Sequence, residues 1–180
     1  YHLAKNGWDT ILIERDILTS GTTWHAAGMV TQLGTTPQIT KIRKSSVEFY
    51  RDLKDITGQD TSFRHTGTIN IATTKPRYQE YLRQLTTSKL LNLDIEIINK
   101  KKFRDLYPIA KNKDIYGGLY IPRDGQADPE ILTKVIATAA KKEGVKIFEK
   151  CKLQKILKRE NQIRAVKTNL GTINCEYIVL

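Results

Sequence analysis

The chain has 180 residues, of which 39% are hydrophobic and 27% are charged, a composition typical of a globular protein. No apolar run approaches the roughly 20 residues that a membrane-spanning helix needs, and no signal peptide is visible. The formal net charge is +11, but the lysines are scattered, and the cluster Lys100–Lys102 has no interleaved aromatic residues. We therefore predict no membrane or nucleic-acid partner, and keep a basic nucleic-acid-binding protein as the alternative from a different functional class.

The cysteines and the chain ends indicate the cellular setting. Cys151 and Cys175 lie in apolar, strand-like stretches and form no Cys-x-x-Cys pair, which argues against a disulfide scaffold and a zinc site. We expect both in or near the core, and a reducing compartment: the bacterial cytoplasm, or the mitochondrial matrix in a eukaryote. The first residue is not Met, and residues 177–180 form an apolar run without a cap. We therefore expect a part of a longer protein.

The first elements in chain order have the pattern of the second half of a βαβ unit. Residues 2–6 are predicted to end a helix at Asn6-Gly7, and residues 10–14 form a continuous apolar run that ends in Glu14. Such a run is typical of a buried parallel strand. Residues 15–37 then form a loop-rich stretch with three Gly and seven Ser or Thr.

The remaining elements alternate between helical and strand-like patterns. Amphipathic spacing predicts helices over about 38–56, 75–91, 99–106 and 129–143, with Asn99 and Asp128 as N-caps. Strands are predicted over 68–72, 94–98, 116–121 and 146–148, followed by a β-meander over 153–157, 163–168 and 171–174 and a final apolar strand over 176–180. The pattern predicts an α/β fold: a Rossmann-like nucleotide-binding layer, residues 1–37 and 146–180, interrupted by a mixed or antiparallel substrate-side sheet in residues 38–145.

Two features point to a nucleotide site. Glu14 stands where the acid of a Rossmann unit accepts hydrogen bonds from ribose hydroxyls, although an exposed strand-end residue is an equal alternative. The glycine turn that precedes such an acid by about 20 residues is outside the chain, because only 13 residues come before Glu14. The segment Thr19–Met29 combines small residues, which let backbone approach a planar ligand, with hydroxyl groups suited to diphosphate. By itself its His25 is more often a structural histidine.

Several stretches resemble one family. Leu12-Ile-Glu-Arg15 and Leu18-Thr-Ser-Gly-Thr-Thr-Trp-His-Ala-Ala-Gly-Met29 resemble the dimethylglycine and sarcosine dehydrogenase family, within the D-amino-acid-oxidase-like flavoproteins. The resemblance covers essentially the whole chain and continues through His65–Ile69, Gly118–Pro122, Asp124–Pro129 and Gly171–Ile173. The Thr-Trp-His-Ala-Ala-Gly element is its specific part.

This resemblance implies that the nucleotide-binding layer holds FAD. In the family, the histidine of the specific element is linked covalently to the 8α-methyl group of FAD, and it corresponds to His25. Glu14 corresponds to the ribose-binding acid, and Leu153 to a position whose backbone meets the adenine. The predicted cofactor-binding residues are Glu14, Arg15, Gly21, Thr22, Thr23, Trp24, His25, Ala26, Ala27, Gly28, Met29 and Leu153.

The other polar candidates are interpreted as structural, and no metal is expected. His2 is predicted to lie on the surface and His65 to stabilise a turn. Asp124 and Asp128 resemble a carboxylate pair, but Asp-Gly and Asp-Pro contexts explain them as turn and cap residues. No residue receives a catalytic role.

The resemblance also implies an activity. It is the oxidation of an N-methyl amine of the glycine type, sarcosine or dimethylglycine, by hydride transfer from the N-methyl carbon to flavin N5. The electron acceptor would be an electron-transfer flavoprotein or oxygen, and tetrahydrofolate would bind a later region of the full-length protein. The alternative within the same fold is an amino-acid-oxidase-like or non-catalytic regulatory relative. By itself the chain is expected to be inactive.

Overall fold

The structure is a computed structural model that describes residues 1–111 and 113–180. The helices of these residues are α1 His2–Lys5, α2 Pro37–Thr57, α3 Lys75–Leu90, α4 Lys100–Leu106 and α5 Pro129–Lys142. The strands are β1 Ile11–Ile13, β2 Met29–Val30, β3 Thr68–Ala72, β4 Glu96–Ile98, β5 Gly117–Ile121, β6 Gly125–Gln126, β7 Lys146–Phe148, β8 Leu153–Arg159, β9 Gln162–Thr168 and β10 Gly171–Asn174. Parallel and antiparallel pairs occur together, which agrees with the predicted α/β class.

The chain divides into two compact units. The first unit comprises residues 1–26, 55–59 and 129–180, and the second unit comprises residues 27–54 and 60–128. Both units are therefore discontinuous in sequence. The predicted division at residues 38 and 146 assigns ligand-binding roles to its parts, and those roles stay predictions.

In the first unit, β1 pairs with β7 in parallel, with Leu12 opposite Ile147. Helix α5 immediately precedes β7 and buries one face that includes Leu132, Val135 and Ala139. Strands β8, β9 and β10 form the predicted antiparallel meander in the order β10-β9-β8. Cys151 is buried before the meander and Cys175 is half-buried after it, and both are free thiols, as their apolar contexts predict.

Two predictions about this unit are wrong. The first strand is parallel but not buried, because Ile11 and Leu12 are 39% and 40% exposed. A strand becomes buried only when layers cover both of its faces, and apolar sequence does not supply those layers. The predicted final strand over residues 176–180 is also absent: these described residues form no strand, since a strand requires a hydrogen-bonding neighbour as well as an apolar composition.

The second unit is built on the three-stranded antiparallel sheet β3-β5-β4, which has β5 at its centre. Because side chains alternate along a strand, β5 directs Leu119 to one face and Tyr120 to the other. The Leu119 face packs with Ala72 and with Tyr81 of α3. The opposite face packs Ile98 against Phe103 of α4. The sheet therefore has a helix on each face.

Local sequence signals explain where the helices of this unit begin. Thr74 and Asn99 are the N-caps of α3 and α4, and their side-chain oxygens accept hydrogen bonds from the backbone N–H groups of Arg77 and Lys102. Glycine in β5 permits close packing: a Cβ on Gly117 would lie 2.6 Å from the Tyr78 ring. The sequence predicted both helices, with ends that differ by one residue, and the Asn99 cap, whereas the Thr74 cap was found only in the structure.

Candidate functional site

The segment Thr19–Ala26 of the first unit is positioned by long-range hydrogen bonds from the second half of the chain. The backbone N–H of Leu18 donates to the Glu149 carboxylate over 2.6 Å, although the residues are 131 positions apart. Thr19 follows in the left-handed region with φ +77°, and its hydroxyl donates to the Glu130 carboxylate of α5 over 3.5 Å. These contacts set the direction in which the segment leaves β1.

Thr23, Trp24 and His25 form one turn of 3-10 helix that lies against α5. The backbone N–H of His25 donates to the Thr22 carbonyl, and that of Ala26 to the Thr23 carbonyl. The indole of Trp24 stacks on the imidazole of His25 with ring centroids 3.6 Å apart and an angle of 32° between the planes. The turn thus presents two aromatic rings in contact.

Most side chains of the predicted flavin-binding segment Thr19–Met29 are exposed. Trp24 is 54% exposed and Met29 is 68% exposed. Gly21, Thr22, His25, Ala26 and Ala27 are also exposed, whereas Thr23 and Gly28 are half-buried. Gly28 has φ +72°, a conformation that favours glycine. In residues 1–111 and 113–180, neither ring nitrogen of His25 has a hydrogen-bond partner, so the exposed imidazole is not held by the contacts that fix a structural histidine.

The two predicted adenosine-side positions lie close together in the first unit. The backbone N–H of Cys151 donates to the Glu14 carbonyl over 2.8 Å, and Leu153 begins β8 two residues later. Both Glu14 and Leu153 are half-buried. One oxygen of the Glu14 side chain accepts from the backbone N–H of Asp16, which leaves acceptor capacity for ribose hydroxyls. Arg15 is exposed and pairs with Asp16.

These residues fit a flavin dinucleotide on three observations. An exposed imidazole lies in a segment of small residues, a carboxylate with spare acceptor capacity stands at the end of β1, and a Cβ on Gly21 would meet no atom within 4 Å. A large planar ligand can approach the backbone at Gly21, because no other atom fills the space beside it. The fit concerns the residue types and their accessibility.

The other two histidines have the predicted structural positions. His65 Nδ1 lies 3.0 Å from the carbonyl oxygen of Arg123, to which only a protonated nitrogen can donate. The ring also contacts Phe63 edge to face. This geometry ties two turns of the second unit together, so it supports the turn-stabilising interpretation. His2 is exposed on α1.

Asp124 has a larger structural role than its turn context indicates. Its side chain is completely buried, at 0% exposure. One carboxylate oxygen accepts from the backbone N–H of Gln32 over 2.8 Å, and the other accepts from the Thr68 hydroxyl over 2.6 Å. The side-chain amide of Gln32 adds a third bond. This network connects three segments: the residues after β2, strand β3 and the turn before β6. No sequence pattern predicted it.

Two surface cavities of the second unit do not contain the predicted cofactor residues. One, of about 330 Å³, is lined by Arg51, Lys54, Asp60, Thr61, Phe63, Arg64 and His65. The other, of about 280 Å³, is lined by Gln32, Lys44, Val47, Glu48, Arg51, His65, Asn92, Asp94 and Arg123. Hydrogen bonds from the Arg64 guanidinium, and then from the Ser62 backbone, lower the pKa of Asp60 to about 2. Lys44, Arg51, Arg64 and Arg123 already contact protein acceptors, and we assign these cavities no ligand.

Comparison with known proteins identifies the family. A family model described as "DAO: FAD dependent oxidoreductase" matches residues 1–180. The chain belongs to this family of FAD-dependent oxidoreductases. The predicted family resemblance is therefore confirmed, as is FAD as the cofactor of the family. Among the described residues, no helix is long and apolar enough to cross a membrane, and no cluster of three or more His, Cys, Asp or Glu suits a metal ion.

Individual members of the FAD-dependent oxidoreductase family add detail. The chain is 33% identical over 181 residues to 4-methylaminobutanoate oxidase (formaldehyde-forming) from Paenarthrobacter nicotinovorans, covering 100% of the chain and 22% of that protein. It is 36% identical over 180 residues to mitochondrial dimethylglycine dehydrogenase from Rattus norvegicus, covering 99% of the chain and 21% of that protein. The chain thus spans about a fifth of the length of these relatives.

A solved structure shows the same fold. L-proline dehydrogenase from P. horikoshii superimposes with a TM-score of 0.90 at 24% identity, over 97% of this chain and 46% of the other. At this identity the similarity concerns the fold. It confirms the predicted α/β class of the FAD-dependent oxidoreductases.

The Asp124 network yields a test of stability. Asp124→Ala would leave the buried Gln32 N–H and the Thr68 hydroxyl without their acceptor. At about 1–3 kcal/mol for each unsatisfied group, we expect a loss of about 2–5 kcal/mol in the free energy of unfolding, measured by urea denaturation. Asp124→Asn retains an acceptor oxygen and should lose less than half as much. Asp105→Ala on the exposed surface of α4 is the control. Equal stabilities of Asp124→Ala and the control would contradict the structural role of the network.

Proposed function

We propose that this chain is the flavin-holding part of an enzyme that oxidises an N-methyl amine of the glycine type. The observation that carries the proposal is His25: an exposed imidazole without a hydrogen-bond partner in the described residues, within a segment of small side chains. A structural histidine is normally bonded or buried. Membership of a family of FAD-dependent oxidoreductases supports a role for this histidine at the cofactor.

In this proposal each group of predicted residues binds a different part of FAD. His25 bonds covalently to the 8α-methyl group of FAD through an imidazole nitrogen. Glu14 accepts hydrogen bonds from the ribose hydroxyls, and the backbone at Leu153 lies against the adenine. The residues Arg15, Gly21, Thr22, Thr23, Trp24, Ala26, Ala27, Gly28 and Met29 surround the remainder of the cofactor. When bound, FAD supplies a two-electron acceptor for the amine.

The substrate class follows from two relatives whose names specify a substrate. Both 4-methylaminobutanoate and dimethylglycine are N-methyl amines that carry a carboxylate group. We infer a substrate with these two groups, sarcosine or dimethylglycine, and hydride transfer from the N-methyl carbon to flavin N5. The resulting iminium is hydrolysed to formaldehyde, or its one-carbon unit passes to tetrahydrofolate elsewhere in the protein.

The remaining parts of the proposal concern the whole protein. The electrons pass to an electron-transfer flavoprotein or to oxygen. The compartment is the bacterial cytoplasm, or the mitochondrial matrix in a eukaryote, where the rat relative is placed by its name. Residues 1–37 and 146–180 hold the cofactor and residues 38–145 face the substrate. Without the rest of the protein the chain is inactive.

Covalent attachment is tested by removing His25. We expect acid-denatured full-length protein to retain yellow flavin fluorescence with the polypeptide, because a C–N bond survives denaturation. His25→Ala should release its flavin into the supernatant. His2→Ala, which removes an exposed histidine on α1, should retain the label. Release of free flavin from the unmodified protein would refute covalent attachment. Flavin that stays on the polypeptide in His25→Ala would show that another residue is the attachment site.

The role of Glu14 is tested where flavin binding is reversible. In the His25→Ala background, Glu14→Gln should weaken FAD binding roughly ten- to a hundredfold, because hydrogen bonds to a charged acceptor contribute about 1.5–3 kcal/mol. Fluorescence titration with FAD measures the dissociation constant. Glu176→Gln, which changes an exposed acid of the same unit, is the control. An unchanged constant in Glu14→Gln would remove Glu14 from the binding site.

The substrate class is tested with a panel of amines. Sarcosine, dimethylglycine and 4-methylaminobutanoate have both an N-methyl group and a carboxylate, glycine lacks the methyl group, and trimethylamine lacks the carboxylate. We expect one formaldehyde per acceptor molecule reduced for one or more of the first three. Glycine and trimethylamine should react at least roughly tenfold more slowly, since glycine leaves the contact with the N-methyl group unmade and trimethylamine leaves the contact with the carboxylate unmade. Faster oxidation of glycine would favour an amino-acid-oxidase-like enzyme, and failure to bind flavin would favour a non-catalytic relative.

A further inference from the structure

The orientation of the His25 ring depends on an unusual feature of the first unit. Active-site and metal-binding histidines are generally held by a hydrogen bond to one ring nitrogen, which fixes the ring and its tautomer. In the described part of the chain, the His25 ring has no such bond. Its contact is instead with the neighbouring indole of Trp24, at 3.6 Å between ring centroids.

The backbone does not impose this contact. In a 3-10 helix, successive side chains diverge by about 120°, so the rings of adjacent residues do not overlap by default. Trp24 and His25 are adjacent residues of the 3-10 turn, yet their planes differ by only 32°. Both side chains must therefore turn toward each other. The contact is a side-chain interaction, and removing one ring frees the other.

Burial does not explain Trp24 either. Its side chain is 54% exposed, so most of the indole surface contributes nothing to a core. The second tryptophan of the chain, Trp8, has the same 54% exposure and lies in the same unit. Trp8 contacts Tyr177 edge to face, and Tyr177 is not a predicted cofactor residue. The chain thus contains two equally exposed tryptophans, of which one stacks on the proposed attachment residue.

We propose that Trp24 is a positioning residue that holds the His25 imidazole for covalent attachment. The indole covers a face of the imidazole, and the ring nitrogens lie on the edge, so the stack restricts rotation without blocking the nucleophile. The side chain of the next residue, Ala26, is small and exposed. This inference rests on the proposed function, because it requires His25 to be the attachment residue.

The attachment step makes clear what positioning must achieve. A bond forms between an imidazole nitrogen and the 8α carbon, one C–H bond of the 8α-methyl group breaks, and the imidazole N–H proton is released. The electron pair of the broken C–H bond reduces the flavin ring system, and dioxygen then removes two electrons and two protons to give hydrogen peroxide. The nitrogen lone pair lies in the imidazole plane, so ring orientation controls the rate of bond formation.

The experiment uses flavin-free full-length protein. FAD is added at several concentrations in the presence of oxygen, and acid-stable flavin fluorescence on the polypeptide is followed with time. This gives a limiting rate constant for attachment and a half-saturating FAD concentration. The variants are Trp24→Leu, Trp24→Phe and the matched control Trp8→Leu. Circular dichroism confirms that each variant is folded before FAD is added.

Loss of the stack should slow attachment by roughly three- to tenfold, from the energy typical of an aromatic pair. We expect this fall in the limiting rate constant of Trp24→Leu, which is measured at saturating FAD and is therefore independent of any contact that Trp24 itself makes with the cofactor. Trp24→Phe retains a ring and should attach flavin within about twofold of the unmodified rate, and Trp8→Leu should match the unmodified rate. Rescue by phenylalanine distinguishes stacking from a general structural role.

Each other outcome overturns the inference. A Trp24→Leu rate equal to that of the unmodified protein shows that the indole does not position the imidazole, while His25 remains the attachment residue. An unchanged rate constant with a higher half-saturating concentration restricts Trp24 to flavin binding and excludes the positioning role. If Trp24→Leu does not fold, and folded Trp24→Phe attaches flavin roughly three- to tenfold more slowly than the unmodified protein, the stack is a structural contact. If the unmodified protein never acquires acid-stable flavin, the proposed function itself fails.

Discussion

The parallel pairing of β1 with β7 is the constraint on which the candidate site depends. It joins residues 11–13 to residues 146–148, which are far apart in the chain. Once the strands are paired, Glu149 accepts from the Leu18 backbone and Cys151 donates to the Glu14 carbonyl. The long chain closure costs conformational entropy, and the apolar face of α5 offsets part of that cost. The direction of the Thr19–Ala26 segment is therefore set by residues near 149–151, which are far from it in sequence.

A second constraint operates within the second unit. The buried Asp124 carboxylate accepts hydrogen bonds from Gln32 and Thr68, both neutral donors. A buried carboxylate is costly unless its oxygens are bonded, so the network fixes the path of the chain directly after β2. Gly125 reinforces this arrangement, because a Cβ there would overlap the Arg64 carbonyl. Stability in this unit comes from a polar contact as well as from the two helix-covered faces of its sheet.

The accessible surface of the Thr19–Met29 segment links structure to proposed chemistry. An enzyme that bonds covalently to its cofactor needs a nucleophile that is unsatisfied and exposed before the cofactor arrives. Folded proteins tend to remove such groups by hydrogen bonding or burial. In the described residues His25 avoids both, and its ring contacts the adjacent indole of Trp24, which in our proposal supplies the orientation that a hydrogen bond would otherwise give.

The sequence by itself determined the α/β class, most helices and strands, the cap at Asn99, and the family. These features depend on periodicity and on short motifs, which act over a few residues. Only the tertiary structure decided that β1 is exposed, that residues 176–180 form no strand and that β2 pairs with β6. It also revealed the Asp124 network and the stacked rings of Trp24 and His25. Burial, strand pairing and side-chain contact are properties of what lies next to a residue in space, and composition along the chain does not specify those neighbours.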